Sequence, residues 1–230
     1  MTAFLDLLKV ESINRFVFTI RFFFYVRIRR RVRVHSDERA VINQAYSNLM
    51  LKRGVTSDRP LRLIRPLSVI DGIDKRRAKV LSIGCRYETE LLYLLGYGFR
   101  HVRGLDMISY SPWVDLGNMH ALEYPASSWD AVLLGWVISY SEQPQLAASE
   151  VARVTRSGGL IAVGVAYYPP AQLEEAERKG TIIGTKEGRI QTADAILRLF
   201  HPFVDKVYYS HDAPSPEVES YCAVVFSIRK

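Results

Sequence analysis

The sequence predicts an α/β fold: a mostly parallel sheet with a closing antiparallel pair and helices on both faces. Three observations predict it. From Lys79 onward short apolar runs alternate with amphipathic helical stretches, the pattern of a parallel sheet covered on both sides. A strand ends in a glycine turn at Gly84, and the next strand ends in Asp106, 22 residues later. The last two apolar runs follow one another without a helix between them, as antiparallel neighbours do.

The elements follow in order. Residues 37–54 form a helix, with Val41, Ile42, Ala45, Leu49 and Leu51 recurring at helical spacing and Gly54 as its stop. "VTSDRP" is a turn, and residues 61–78 are mixed. "KVLSIG" is a strand, "ETELLYLLGYG" a helix that stops at glycine, and "HVRGLDM" a strand ending at Asp106. "WDAVLLGW" is a further strand. "PQLAASEVARVTRSGG" reads as a helix ending in a double glycine, and "LIAVGVAY" as the next strand. After the charged "AQLEEAERKG" come a helix at "TADAILRLF" and two strands, "DKVYYSHD" and "SYCAVVFSIRK", joined by "APSPEVE".

The 230 residues suffice for one α/β domain with a short extension: 1–55 as a helical, aromatic and basic extension, 56–230 as the domain. Cys85 and Cys222 are far apart and form no metal or redox spacing, so no metal site and no disulfide framework is expected. The net charge of +7 is local. Residues 1–36 carry eight Lys and Arg against Asp6 and Glu11, a net +6, which leaves the domain nearly neutral and argues against a nucleic-acid partner.

In the extension, the apolar runs 16–20 and 22–26 are interrupted by Arg15, Arg21 and Arg27. No uncharged run reaches the roughly 18 residues that span a bilayer, and no signal-peptide cleavage site follows. The expected setting is therefore cytoplasmic or peripheral to a membrane. Two readings stand for this segment. It is an interfacial element, its aromatics in the lipid boundary and Arg27, Arg29, Arg30, Arg31 and Arg33 on anionic headgroups. Or it is a helix packed on the domain, as a lid, or on the second copy of a homodimer, its arginines solvated.

Four ordered segments between Lys79 and Tyr168 carry a resemblance: "KVLSIGC", "VRGLDM", "GNMHALEYPASSWDAV" and "EVARVTRSGGLIAVGV". In this order they resemble the glycine motif, acidic strand end, adenine loop and glycine turn of the class I S-adenosylmethionine (SAM)-dependent methyltransferases, in their small-molecule branch. The resemblance implies a Rossmann-like, seven-stranded sheet with a closing antiparallel strand, and SAM as cofactor, with Gly84, Cys85 and Arg86 near its methionine part and Asp106 on its ribose. It further implies Met107, Asn118 and Met119 around the adenine, and Gly135 with Trp136 lining the pocket beneath. Each has a structural alternative: Asp106 a turn cap, Met119 plain core, Trp136 a buried aromatic.

The departures are specific. Ser82 stands where relatives commonly carry an acid, Arg86 and Glu88 where they carry glycines, and Asn118 where they carry Asp. Arg86 must then adopt an ordinary φ or hold the ligand further away. Glu88 is expected to repel the SAM carboxylate unless Arg86 offsets it. Tyr140, after the fourth parallel strand, and His120, beside the adenine loop, are the catalytic candidates, with a loop-bound structural histidine as the alternative for His120.

The function expected is SAM-dependent methylation of a small-molecule, sugar (glycan) or lipid-linked acceptor, with a hydroxyl oxygen preferred. A catalytically inactive binding or scaffold protein on the same fold is the alternative. A nicotinamide-dependent oxidoreductase explains neither "NMHALEYPASSWDAV" nor the closing antiparallel pair. Nucleic-acid methylation lacks its Asn/Asp-Pro-Pro-aromatic tetrad, since "YYPP" at 167–170 has the wrong order and follows the wrong strand.

Overall fold

The structure is a computed structural model that describes residues 5–36, 59–179, 184–185 and 189–230. The helix expected over 37–54 and the start of the following turn lie outside the described residues.

A 3-10 turn (Leu7–Lys9) leads into helix α1 (Glu11–Phe22), which runs on as a π-helical stretch (Phe23–Ile28) and ends in the short strand β1 (Arg33–Val34). Helix α2 (Leu61–Ser68) follows. Sequence reading left this stretch mixed because Pro66 sits inside it. Proline removes a ladder hydrogen bond and ordinarily breaks a helix, so burial of Leu63, Ile64 and Leu67 outweighs local propensity here.

Strand β2 (Lys79–Ile83), helix α3 (Glu88–Gly96) and strand β3 (His101–Asp106) form the first crossover unit, and just past the end of α3 stands Gly98, whose φ of +102° is one only glycine adopts readily. Two short strands, β4 (Ile108–Ser109) and β5 (Val114–Leu116), precede β6 (Trp129–Gly135). Helix α4 (Pro144–Val154) opens with proline at its first turn, where the missing N–H costs nothing. The expected continuation of α4 to the double glycine is corrected: strand β7 (Thr155–Tyr167) starts at once, and Gly158, at φ +74°, lies in an irregular stretch of β7 opposite β6. Helix α5 (Pro170–Arg178), helix α6 (Ala193–Leu199), β8 (Val204–His211) and β9 (Ser220–Ile228) complete the chain.

The main sheet has the order β5-β3-β2-β6-β7-β9-β8. The five strands β2, β3, β5, β6 and β7 pair in parallel, and β9 inserts antiparallel between β7 and β8. The expected fold class is therefore the observed one. Alternate residues of each strand face opposite layers. Leu81, Ile83, Val132 and Leu134 pack with Val151 of α4 and Ile196 of α6, while Val80, Ala131 and Leu133 pack with α2 and α3. Because both faces are covered, the strands read as continuous apolar runs. From β2 the chain moves outward through β3 to β5, then returns to β6 on the other side. That reversal opens a crevice beyond the carboxyl ends of β2 and β6, where α/β sheets hold ligands.

The N-terminal segment packs on this frame. Asn14, fully buried, donates to the backbone oxygens of Leu8 and Thr89. Phe18 meets Tyr87, and Phe22 packs edge-on to Tyr110. Strand β1 pairs antiparallel with β4, and His35 N donates to Met107 O at 2.8 Å. No helix among the described residues is long and apolar enough to cross a membrane.

Candidate functional site

The crevice floor is the turn between β2 and α3. Gly84 has φ +73°, and a Cβ there would overlap Val137, so the strand end and the loop after β6 meet only because residue 84 is glycine. Arg86 has φ +48°. The expectation of an ordinary φ at Arg86 is thus corrected: the turn keeps a glycine-like, left-handed backbone although the residue carries a side chain, a conformation that costs an ordinary residue about 1 kcal/mol or more.

What holds it there is Asp106. Its Oδ2 accepts from Arg86 N at 2.8 Å and its Oδ1 from Ile108 N at 3.1 Å. Asp106 is thereby a turn cap, and each carboxylate oxygen, having accepted one bond, can accept another. Burial raises the Asp106 carboxyl above its ordinary value, opposed by these two amide bonds and by the Arg86 charge. Cys85 points away from the crevice into the core, against Gly104, where an added Cβ would lie 2.5 Å from its Sγ. Burial pushes its thiol well up, helped by the Asp106 and Glu90 charges, so it is an inert core thiol.

Glu88 does not face the crevice. It is fully buried and takes a bidentate ion pair from Arg21 of α1, Nε to Oε2 at 2.6 Å and Nη2 to Oε1 at 2.8 Å. Ser111 Oγ also donates to Oε1, and the Arg21 guanidinium lies 3.7 Å from the centre of the Trp113 ring. Burial opposes charge on Arg21, but the Glu88 hydrogen bond and attraction outweigh it and raise its pKa. The expectation that Arg86 must offset Glu88 is corrected: Arg21, on the extension, does so.

A second carboxylate was not foreseen. Glu90 reaches back from α3 to accept from Ser82 Oγ at 2.5 Å, and its Oε2 lies 3.2 Å from where a Gly135 Cβ would be. A carboxylate therefore stands beside Ser82, the position at which the family resemblance leads one to expect an acid. The signal was the small residue at 82 with a Glu eight residues on, in the first turn of α3. Burial pushes the Glu90 carboxyl up to about 7, opposed by the Ser82 bond. A carboxyl whose folded pKa exceeds its unfolded one binds more protons when folded, so it contributes stability below the model-peptide value near 4.5 that is lost as pH rises through about 7. Between those values the melting temperature of the native protein is expected to fall with pH more than that of Glu90→Gln, which keeps the Ser82 bond and does not titrate.

The loop after β5 is closed on itself. Asn118 Oδ1 accepts from His120 N at 3.0 Å and lies 2.7 Å from His120 Nδ1. An amide oxygen only accepts, so Nδ1 carries the proton, and in the neutral ring Nε2 accepts from the buried Ser141 Oγ at 2.6 Å. Both ring nitrogens are thus engaged, Nδ1 within the loop and Nε2 by a residue beyond β6. Met119 is partly buried against the core, and Met107, at the end of β3, gives its backbone oxygen to His35.

Beyond β6, Trp136 has φ +60°, donates its N–H to Gly164 O at 2.8 Å, and lays its ring against Gly164. Trp136, Tyr140, Tyr168, Arg59, Arg189 and Gln191 line a cleft at the carboxyl ends of β6 and β7. Val137, over Gly84, stands between this cleft and the crevice. Gln191 Oε1 is buried without a hydrogen-bond partner among the described residues. Neither Tyr168 nor Gln191 was singled out in the sequence, because the loops carrying them have no periodicity that would join them to β6.

A family model described as a methyltransferase domain matches residues 81–163, which run from β2 into β7. Residues 81–163 are thus identified as a methyltransferase domain. SAM is the cofactor expected of a methyltransferase domain. Among solved structures it is similar to a SAM-dependent methyltransferase, possible histamine N-methyltransferase, of Thermotoga maritima: 15% identity, TM-score 0.50, 81% of this chain and 96% of that one. It is similar also to geranyl diphosphate C-methyltransferase of Streptomyces coelicolor, in complex with S-adenosyl-L-homocysteine: 11% identity, TM-score 0.53, 74% and 78% covered. The [4+2]-cyclase SpnF matches at 14% identity and TM-score 0.52, with 73% and 81% covered. At these identities the likeness is one of fold, and a fold that also hosts a cyclase leaves the chemistry to the site. No curated protein sequence matches the chain.

Proposed function

We propose that the protein is an active SAM-dependent methyltransferase whose acceptor is a small molecule, a glycan or a lipid-linked intermediate. The observation that carries this reading is the turn at Gly84 and Arg86. An arginine in a glycine's left-handed conformation is strained, and strain of this kind persists where the surroundings fix it for a purpose. Here the Asp106 carboxylate fixes it.

The residues present fit SAM. The remaining lone pairs of Asp106 suit two ribose hydroxyls, and the backbone of Gly84 to Arg86 suits the methionine end, with the Arg86 charge available to its carboxylate. Met107 and Met119 suit the adenine faces. Asn118 would act through its amide N–H2, since its oxygen is engaged by His120. Bound SAM supplies an electrophilic methyl group, so the protein's task is to align an acceptor with it.

The cleft beyond Val137 is the acceptor's place in this reading. Gln191 Oε1 would accept from an acceptor hydroxyl or amine. Tyr140, 54% exposed at the cleft, is better placed than His120 to orient or deprotonate a hydroxyl, since both His120 nitrogens are engaged, by Asn118 and Ser141. The test is transfer of a labelled methyl group from SAM to aqueous and lipid extract fractions. Label appearing in an acceptor, and a rate reduced about a hundredfold by Tyr140→Phe with SAM affinity unchanged, are expected. SAM binding with no label in any fraction would favour the binding or scaffold alternative.

A further inference from the structure

The outward face of the N-terminal helix carries a surface that methyl transfer does not use. Phe16 (64%), Ile20 (53%), Phe23 (56%) and Ile28 (60%) are exposed. Helical residues are about 100° apart, so Phe16, Ile20 and Phe23 form one stripe, opposite the Asn14, Phe18 and Arg21 that face the domain. The outward side of the helix is thus apolar, and only its inward side is covered by described residues. Immediately beyond, Arg27, Arg29, Arg30, Arg31 and Arg33 are all exposed. None of the five makes an ion pair with a described residue, and residues 12–36 contain no acid. The arginines from 29 onward line an open groove with Ile28 and Pro112. The chain then joins β4 through β1, so the groove adjoins the strand end that bears Asp106.

We propose that this face docks on an anionic membrane surface, the Phe and Ile side chains entering the lipid boundary and the arginine cluster contacting the headgroups. Charge complementarity, with an apolar stripe directly beside it, decides the occupant. A membrane presents an anionic layer over an apolar one, which is the arrangement this face complements. Nucleic acid offers the anions without an apolar layer. A second copy of this chain would bring two clusters of five arginines together. Docking does not depend on the methyltransferase reading; its use to present a lipid-linked acceptor does.

The test is flotation of the full chain with vesicles of phosphatidylcholine alone and with about one-third phosphatidylserine. The native protein is expected to float with the anionic vesicles only, and to be released by salt. Arg29→Gln/Arg31→Gln/Arg33→Gln is expected to lower partitioning about a hundredfold. Phe16→Ser/Phe23→Ser, which leaves the charge unchanged, is expected to lower it at least about tenfold. Absence of flotation, equal flotation with neutral vesicles, full binding by the phenylalanine variant, or displacement by duplex DNA at equal phosphate concentration would each overturn the proposal. So would a dimer of the native protein that the phenylalanine variant disrupts. If either variant fails to fold, the comparison of vesicles and the salt dependence of the native protein decide the matter alone.

Discussion

Arg21→Ala is expected to destabilise the protein by about 3–5 kcal/mol, the cost of leaving a buried carboxylate without its partner. Glu88 is wholly inside, and Arg21 is its only cationic contact among the ion pairs of the described residues. The loss also removes the guanidinium from the Trp113 ring. Glu88→Gln added to Arg21→Ala should recover much of the stability, because a neutral amide still accepts from Ser111 and no longer buries a charge. Urea unfolding of the native protein, both single variants and the double variant measures the coupling directly. If Glu88→Gln deepened the loss, the unpaired carboxylate would not be its source. The pair is shielded from solvent, so its contribution should change little with salt, unlike the exposed Arg198–Asp194 pair.

Asp106→Ala is expected to weaken SAM binding by about 1.5–3 kcal/mol, roughly ten- to a hundredfold. Two effects add. The ribose loses a charged acceptor, and Arg86 N and Ile108 N lose the oxygens that hold the turn. Asp106→Asn, which keeps one acceptor oxygen, should fall between the two. Titration with SAM of variants whose melting curves remain cooperative separates binding from folding. Unchanged affinity in Asp106→Ala would remove the ribose assignment.

The sheet was legible because its strands are buried on both faces, so "KVLSI" and "AVLLG" announce themselves by composition alone. The strand ends that bear Gly84 and Asp106 were legible from their spacing. What escaped was determined by tertiary contact. Helix α2 contains Pro66, and α5 has the charged surface of a solvated face, so neither displays the usual pattern. Strands β1 and β4 are two residues each and exist only by pairing with one another. Glu88 looked like an obstacle because its partner lies 67 residues upstream, on a segment whose attachment no local rule predicts. Glu90 was passed over for a related reason: it stands on the helix, and only the fold brings it to Ser82 and Gly135. Arg86 holds a glycine's backbone shape because a neighbouring strand end binds its amide, which sequence alone does not reveal.

Calorimetric titration of the purified protein with SAM, with S-adenosylhomocysteine and with NADH as the control ligand bears most directly on whether the strained turn is a working cofactor loop. Micromolar binding of the first two, none of NADH, and loss of affinity in Asp106→Ala are predicted. Absence of binding to SAM and S-adenosylhomocysteine by the folded native protein would contradict it, and would mean that Val137 and Arg86 close the crevice they line.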